Sequence, residues 1–393
     1  MIKPWLTLIG MSDHSVAELP PASRVALDRA EAVFGGPRHL ALADVGARGR
    51  AWPVPFSVEE VLACRGRPTA ILASGDPFWF GVGGSLSSHL DSNEWQALPA
   101  PSTFSLVAAR LGWRMEDITC HGLHAAPFAR LRAVLAPYAR LICLVRDGEA
   151  PAQLAAWLTA QGAGAARLWV MQAMGGADQR VRQTTAEVFD LTDVLSPVAV
   201  AIELPGNVGL SRASGLSDTC FTHDGQITKR PVRALTLSAL APRVGETLWD
   251  IGAGSGSIAV EWCLSGGRAV AFEQNPSRVA NIHRNAEDFG LTHKLSVVEG
   301  DSNTTLAGQA VPDAVFVGGG GTAALFTQLF TLLPEGTRLV ANGVTLETEA
   351  LLGSLQAARG GTLLRIELAQ VEPLGRMRGW QPARPVVQWS VTL

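Results

Sequence analysis

The chain has 393 residues, 47% hydrophobic and 17% charged, which is apolar material for two cores at about 150 residues per domain and is not the composition of a disordered chain. Lysine and arginine number 32 against 35 acidic residues, a formal charge of −3 without a basic tail or stripe, which argues against a partner read through phosphates or anionic lipid. Five cysteines (Cys64, Cys120, Cys143, Cys220, Cys263) lie far apart with no C-x-x-C pair, as expected of reduced thiols in a cytoplasmic protein rather than of a disulfide framework or a zinc site.

The first predicted strand, Trp5–Ile9, closes at Gly10 and breaks into Ser12-Asp13-His14, too early for a signal peptide. No apolar run reaches the roughly 18 residues that a membrane span needs. A helix is expected from Pro21 to Ala32, then a strand and turn at Val33–Gly36 and buried strands at Thr69–Ala73, Leu141–Val145, Arg167–Met171 and Val198–Leu204. Pro151–Gln161 reads as a helix, with proline at its start and Gly162 past its end. Alternation of strands and helices predicts a mostly parallel α/β sheet. The pattern lapses before Asp224, giving a predicted division into residues 1–208, a linker at 209–224 and a second domain at 225–393.

The second series runs helix Val232–Leu240, strand Thr247–Ile251, a glycine loop, helix Ile258–Ser265 and strand Arg268–Phe272. Helix Pro276–Phe289, strands Leu295–Glu299 and Ala314–Val317, helix Thr322–Leu333, strand Thr337–Asn342 and helix Glu347–Arg359 follow. Two final β segments, Thr362–Val371 and Pro385–Leu393, suggest an antiparallel hairpin on an otherwise parallel sheet.

The most informative stretch is Asp250-Ile251-Gly252-Ala253-Gly254-Ser255-Gly256-Ser257. A strand ends in an acid, and three alternate glycines lead into a helix whose N-terminus favours negative charge. A dinucleotide fingerprint wants G-x-G-x-x-G, but Ser257 takes the third position and Gly256 falls one residue early. The G-x-G-x-G spacing instead looks like the S-adenosylmethionine (SAM) loop of class I methyltransferases. Glu273 and Asp301, at the ends of the next two strands, are placed to accept from the ribose hydroxyls and the adenine amino group. Turn chemistry alone is the bland alternative for each.

Gly318-Gly319-Gly320-Gly321 stands where amino-methylating enzymes of nucleic acid carry a Pro-Pro-aromatic motif, and would leave an open floor for a large flat substrate. Ahead of the glycine loop lie Thr228, Lys229, Arg230 and Arg233, either a capped helix with a solvated basic face or a lid presenting cations to an acidic substrate. Arg376 and Arg378, beside Trp380, form a second basic cluster with the same two readings. In the first domain, Ser74-Gly75-Asp76-Pro77 reads as a turn, Phe78-Trp79-Phe80 as core, and His121 and His124 as loop residues that hold no metal.

Taken together, the strand to Gly10, Ala32–Leu40, Ser74–Pro77, Pro101–Ser105, Asp147-Gly148 and Met174–Gly176 resemble a tetrapyrrole (class III) methylase domain. Gly225–Arg230 followed by Asp250–Gly256 resembles the class I partner domain of the same pathway. The whole order resembles the precorrin-6Y C(5,15)-methyltransferase (decarboxylating) family. The resemblance implies a tetrapyrrole-methylase-type α/β domain joined to a Rossmann-like methyltransferase domain. It also implies one SAM per domain, a corrinoid substrate methylated at carbons 5 and 15, loss of the ring C acetate carboxyl, and a homo-oligomer in the cytoplasm.

Carried over by position, the first SAM would be held by Gly10, Ser74, Gly75, Asp76, Ser102 and Thr103. The second would be held by Thr228, Asp250, Gly252, Ala253, Gly254, Ser255, Gly256, Glu273, Asp301 and Ser302. Lys229, Arg230, Arg233, Arg376 and Arg378 are the substrate-binding candidates; no residue is assigned as catalytic. The loop Gly10–Ser15 and Leu123-His124-Ala125-Ala126 depart from the family pattern, lacking glycines and an arginine respectively. The alternatives kept open are methylation of another substrate such as RNA beside a non-catalytic first domain, a nicotinamide oxidoreductase, and a SAM-sensing scaffold.

Overall fold

The computed structural model describes residues 4–12 and 16–393; Asp13, His14 and Ser15 of the departing loop lie outside the described residues. The chain separates into two compact units, Met1–Phe128 with Val134–Val208, and Gly209–Leu393 with Ala129–Ala133. Among the described residues no helix is long and apolar enough to cross a membrane.

In the first unit, strands β1 (Leu6–Met11), β2 (Ala32–Gly35), β3 (Gly49–Ala51), β4 (Thr69–Ser74) and β5 (Trp95–Leu98) form one sheet. Its order is β3-β2-β4-β1-β5 and every pairing is parallel. All six residues of β1 are buried, as a parallel strand covered on both faces requires. A second sheet joins β6 (Ile118–Leu123), β7 (Arg140–Val145), β8 (Arg167–Gln172), β9 (Arg180–Thr185) and β10 (Val198–Glu203) in the order β6-β7-β10-β8-β9. Here only β6–β7 is parallel; the other pairings are antiparallel. The apolar run of β10 therefore signals burial on both faces and not strand direction. His121 lies on β6 rather than in a loop.

In the second unit, β11 (Thr247–Ile251), β12 (Arg268–Glu273), β13 (Leu295–Glu299), β14 (Ala314–Val317), β15 (Arg338–Gly343), β16 (Thr362–Ile366) and β19 (Val386–Thr392) form a sheet ordered β13-β12-β11-β14-β15-β19-β16. The first five are parallel, and β19 runs antiparallel between β15 and β16. Strands β17 (Ala369–Leu374) and β18 (Met377–Pro382) pair only with each other. The expected terminal hairpin is thus a β16–β19 pair with a second, exposed hairpin inserted in it.

Residues 209–224, expected to be a linker, are packed into the second unit, where Leu216 and Phe221 join the core. Arg233 explains the packing. Its side chain is fully buried, its Nε donates to Glu261 Oε1 at 2.6 Å, and Nη1 donates to Asp218 Oδ1 at 3.0 Å and to the Thr228 carbonyl. Nη2 donates to the Leu216 carbonyl, and the guanidinium lies 4.7 Å from the Phe221 ring centroid. Glu261 also accepts from the Gly215 and Leu216 amides at 2.7 and 3.0 Å. Arg233 is therefore a structural strut, and the expectation that it meets substrate is corrected: no face of it reaches solvent.

Removing one partner of such a pair strands a buried charge, which costs about 3–5 kcal/mol. Arg233→Ala is expected to lower the stability of the second unit by that amount in urea unfolding, whereas Arg230→Ala, on the exposed face of the same helix, should change it by less than about 0.5 kcal/mol.

Candidate functional site

In the second unit β11 has neighbours on both sides, β12 and β14, and the order reverses direction there. Ligands of such sheets bind beyond the carboxyl ends of the strands at this switch point, which is where Gly252–Gly256 emerges. Gly252, Gly254 and Gly256 have φ of 66°, 59° and 71°, the left-handed region that side chains disfavour. A Cβ on Gly252 would lie 2.5 Å from the Gly319 carbonyl oxygen, and one on Gly254 3.2 Å from that of Gln226. The loop hangs from the Phe272 carbonyl through the Gly252 and Ala253 amides at 3.0 and 3.1 Å. It leads into the helix Ser257–Leu264.

Glu273, 5% exposed at the end of β12, accepts from the Gly254 amide at 2.8 Å through Oε2 and from the Asn275 amide at 3.0 Å through Oε1. Asp301 caps the short helix Ser302–Thr305, accepting from the Asn303 amide at 2.9 Å, with Ser302 the first helical residue. Asp250 is fully buried beneath the loop, and its Oδ2 accepts from the Ala259 amide at 3.1 Å. Burial pushes its carboxyl up to about 7, the Ala259 amide opposing this and the Glu273 charge adding to it. Asp250 supports the loop from below.

Two buried atoms at this loop, Asp250 Oδ1 and Ser255 Oγ, have no hydrogen-bond partner. Such orphaned groups are costly. With the side-chain-free cradle above them, they fit a ligand that brings donors and positive charge, as the amino acid end of SAM does.

Sequence reasoning missed Asn285, which is fully buried. Its Nδ2 donates to the Ser255 carbonyl at 2.8 Å and its Oδ1 accepts from the Thr222 amide at 2.8 Å, tying the preceding segment to the glycine loop. Asn285 lies mid-helix in Pro276–Asp288, a place where asparagine is disfavoured, and that is the one signal that marks it.

Thr228 does not cap the following helix; Lys229 occupies the N-cap without a side-chain bond. Lys229 and Arg230 are exposed, with Lys229 Nζ 4.0 Å from Asp218. Arg376 and Arg378 sit exposed on the β17–β18 hairpin, beside Trp380 at 73% exposure. Gly318 and Gly319 pack against Gly252 instead of leaving an open floor, and only Gly320 has nothing near its would-be Cβ.

In the first unit, a cavity of about 510 Å³ opens among Ser74, Gly75, Ser102, Thr103, Trp79 and Met171. Gly10 lies under it: a Cβ there would fall 1.9 Å from the Gly75 carbonyl oxygen. Asp76 is not among the lining residues; its Oδ1 accepts from the Phe78 amide at 2.8 Å. Phe78, Trp79 and Phe80 are 42%, 37% and 55% exposed, so the aromatic cluster is not core, and Trp79 and Phe80 line the cavity. Among the described residues, the charged lining comprises Arg38 and Arg146 with no carboxylate.

A precorrin methyltransferase domain model matches residues 219–393, and a model of the tetrapyrrole (corrin/porphyrin) methylases matches residues 6–190. A precorrin-6Y C(5,15)-methyltransferase (decarboxylating) of Sinorhizobium sp is 47% identical over 402 residues, spanning 100% of this chain and 97% of the relative. One of the same description from Mycobacterium tuberculosis is 39% identical over 399 residues, 98% of this chain and 99% of the relative. The C-terminal domain of precorrin-6Y C5,15-methyltransferase from Rhodobacter capsulatus is a solved structure with 55% identity and a TM-score of 0.46, covering 47% of this chain and 100% of that one.

A carboxylate hydrogen-bonded to ligand hydroxyls is worth about 1.5–3 kcal/mol, or roughly 10- to 100-fold in affinity. Glu273→Ala is expected to weaken SAM binding to the second unit by that factor in calorimetric titration; undiminished binding would refute the assigned register. Asp250 yields a pH signature. Its folded value near 7 lies above the unfolded 3.8, so the stability it confers is complete below about pH 4 and is lost as pH rises through about 7. The unfolding midpoint of the second unit should fall as pH rises from about 4 to about 7 and level off above that, and Asp250→Asn should flatten that limb.

Proposed function

Because the chain belongs to the precorrin-6Y C(5,15)-methyltransferase (decarboxylating) family, we propose that it methylates precorrin-6Y at carbons 5 and 15 and releases the ring C acetate carboxyl as carbon dioxide. Each unit holds one SAM. The first unit serves carbon 5, and the second serves carbon 15 and the decarboxylation.

Bound SAM supplies an electrophilic methyl on a sulfonium; the rest falls to the chain. A bridging carbon of a conjugated tetrapyrrole is electron-rich, so attack needs no strong base, and aligning nucleophile, methyl and sulfur gives most of the acceleration. In the second unit the glycine cradle admits the donor against the backbone. Glu273 keeps two acceptor oxygens at its edge, and the Asp250 charge lies directly beneath. Lys229 and Arg230, exposed at the start of the helix Arg230–Leu240, hold substrate carboxylates by charge-assisted hydrogen bonds. Arg376 and Arg378 add a second cationic edge. Cations on the retained carboxylates favour loss of the one left unpaired, with the macrocycle taking its electrons.

In the first unit the cavity carrying Arg38 and Arg146 suits the same polyanion. The observation that carries the reading is the second-unit cradle, in which a ring of positive-φ glycines stands over two orphaned buried polar atoms. RNA as the acceptor is disfavoured by the −3 charge and the lack of a basic stripe.

Mass spectrometry of the product formed from precorrin-6Y by the intact chain tests the proposal. Two methyl groups gained and one carbon dioxide lost are expected. A product with neither change, or methyl transfer to RNA alone, would overturn it.

A further inference from the structure

Arg38, His39 and Ser74 converge on the wall of the first-unit cavity. Arg38 and His39 come from the helix Pro37–Ala43, Ser74 from the last position of β4. His39 Nε2 lies 3.1 Å from Ser74 Oγ and 3.2 Å from Arg38 Nη2, and the same Nη2 reaches Ser74 Oγ at 3.4 Å. Arginine can only donate, so Nε2 must be the acceptor of the ring and the ring proton sits on Nδ1. The Ser74 hydroxyl hydrogen then points to Nε2, leaving its oxygen lone pairs toward the cavity. The imidazole is 9% exposed, while Ser74 is exposed to the cavity.

Replacing hydrogen by methyl at a bridging carbon exchanges CH3+ for H+, so each transfer releases one proton. We propose that Ser74 Oγ, backed by His39 and aligned by Arg38, accepts the proton released by methylation at the first unit. This rests on the reading given under Proposed function.

The carbon uses a π electron pair to bond the incoming methyl, and the old sulfur–methyl bond leaves its electrons on sulfur. The carbon then carries both hydrogen and methyl on a delocalised cation. Its C–H electrons return to the π system as the proton passes to Ser74 Oγ, and the serine hydroxyl proton moves to the single Nε2 lone pair of His39 as the Arg38 Nη2 bond to that nitrogen gives way and its bond to Ser74 Oγ remains. Water afterwards removes it from the imidazolium. Such a cation is acidic enough for a weak base. What matters is that the base stays unprotonated, and burial together with the Arg38 charge holds the His39 imidazole down at about 4. Among the described residues, the other titratable groups lining the cavity are His124, itself lowered by burial, and Arg146, which donates to Asp147. Ser74 is the catalytic residue here; His39 and Arg38 are positioning residues.

The test uses the full-length protein with precorrin-6Y and SAM, following the rate of carbon 5 methylation against pH together with SAM binding by titration. His39→Gln should lower kcat for that methylation about 100-fold or more with SAM affinity held within about twofold, and Ser74→Ala, at a position also assigned to SAM, should lower kcat by as much at saturating SAM. Arg38→Gln should move the acid limb of the wild-type rate profile to higher pH, as the imidazole regains basicity. A Ser74→Ala protein that keeps kcat within about threefold, or whose loss lies wholly in SAM affinity, would overturn the relay and leave the methyltransferase reading intact. A wild-type chain that transfers no methyl to carbon 5 would overturn both.

Discussion

At the head of β11 two backbones touch where no side chain fits. A Cβ on Gly252 would meet the Gly319 nitrogen, carbon and oxygen within 2.9 Å, and the Gly318 amide closes the contact by donating to the Ile251 carbonyl at 2.9 Å. The loops after β11 and β14 are thereby locked together at the point where the sheet order reverses. Everything placed around them inherits that registration. Glu273 reaches the Gly254 amide because β12 is paired residue by residue with β11, and Asp250 reaches the Ala259 amide because the loop turns straight into its helix. Removing side chains from one backbone contact is what lets separate strand ends bring their polar groups to one place at the edge of the sheet.

The second unit was more legible than the first, for a local reason. Strands Thr247–Ile251, Leu295–Glu299 and Ala314–Val317 fall where the apolar runs predict them, since each is a short buried run bounded by turn residues. The glycine spacing is equally local. What sequence could not give depends on which segment covers a face. Arg233 reads as one of several surface cations, yet residues 209–224 fold over it and supply the Leu216 carbonyl and the Asp218 carboxylate. Asn285 is hidden in the same way, because its partners Thr222 and Ser255 lie 63 and 30 residues away.

In the first unit the failures concern direction and polarity. An apolar run such as Val198–Glu203 specifies a strand covered on both faces, and either parallel or antiparallel partners meet that demand. The edge strand Arg180–Thr185, with the sequence RVRQTT, has no apolar run to announce it. The cavity was missed because its wall joins residues with unremarkable sequence settings. His39 becomes distinctive only when β4 brings Ser74 to it across 35 positions.

The two units have opposite electrostatic settings at these places. Beneath the second-unit loop is a buried acid near its protonation midpoint at neutral pH, with an unshared lone pair and a second carboxylate, Glu273, close enough to raise it. A positive ligand there draws Asp250 into its charged form and is held by it, so cofactor charge and protein stability are linked through one group. Among the described residues the first-unit cavity has no lining carboxylate and carries Arg38 and Arg146. A cation would enter such an arginine-lined cavity more readily once an acidic partner had neutralised it, whereas the second unit carries its own counter-charge.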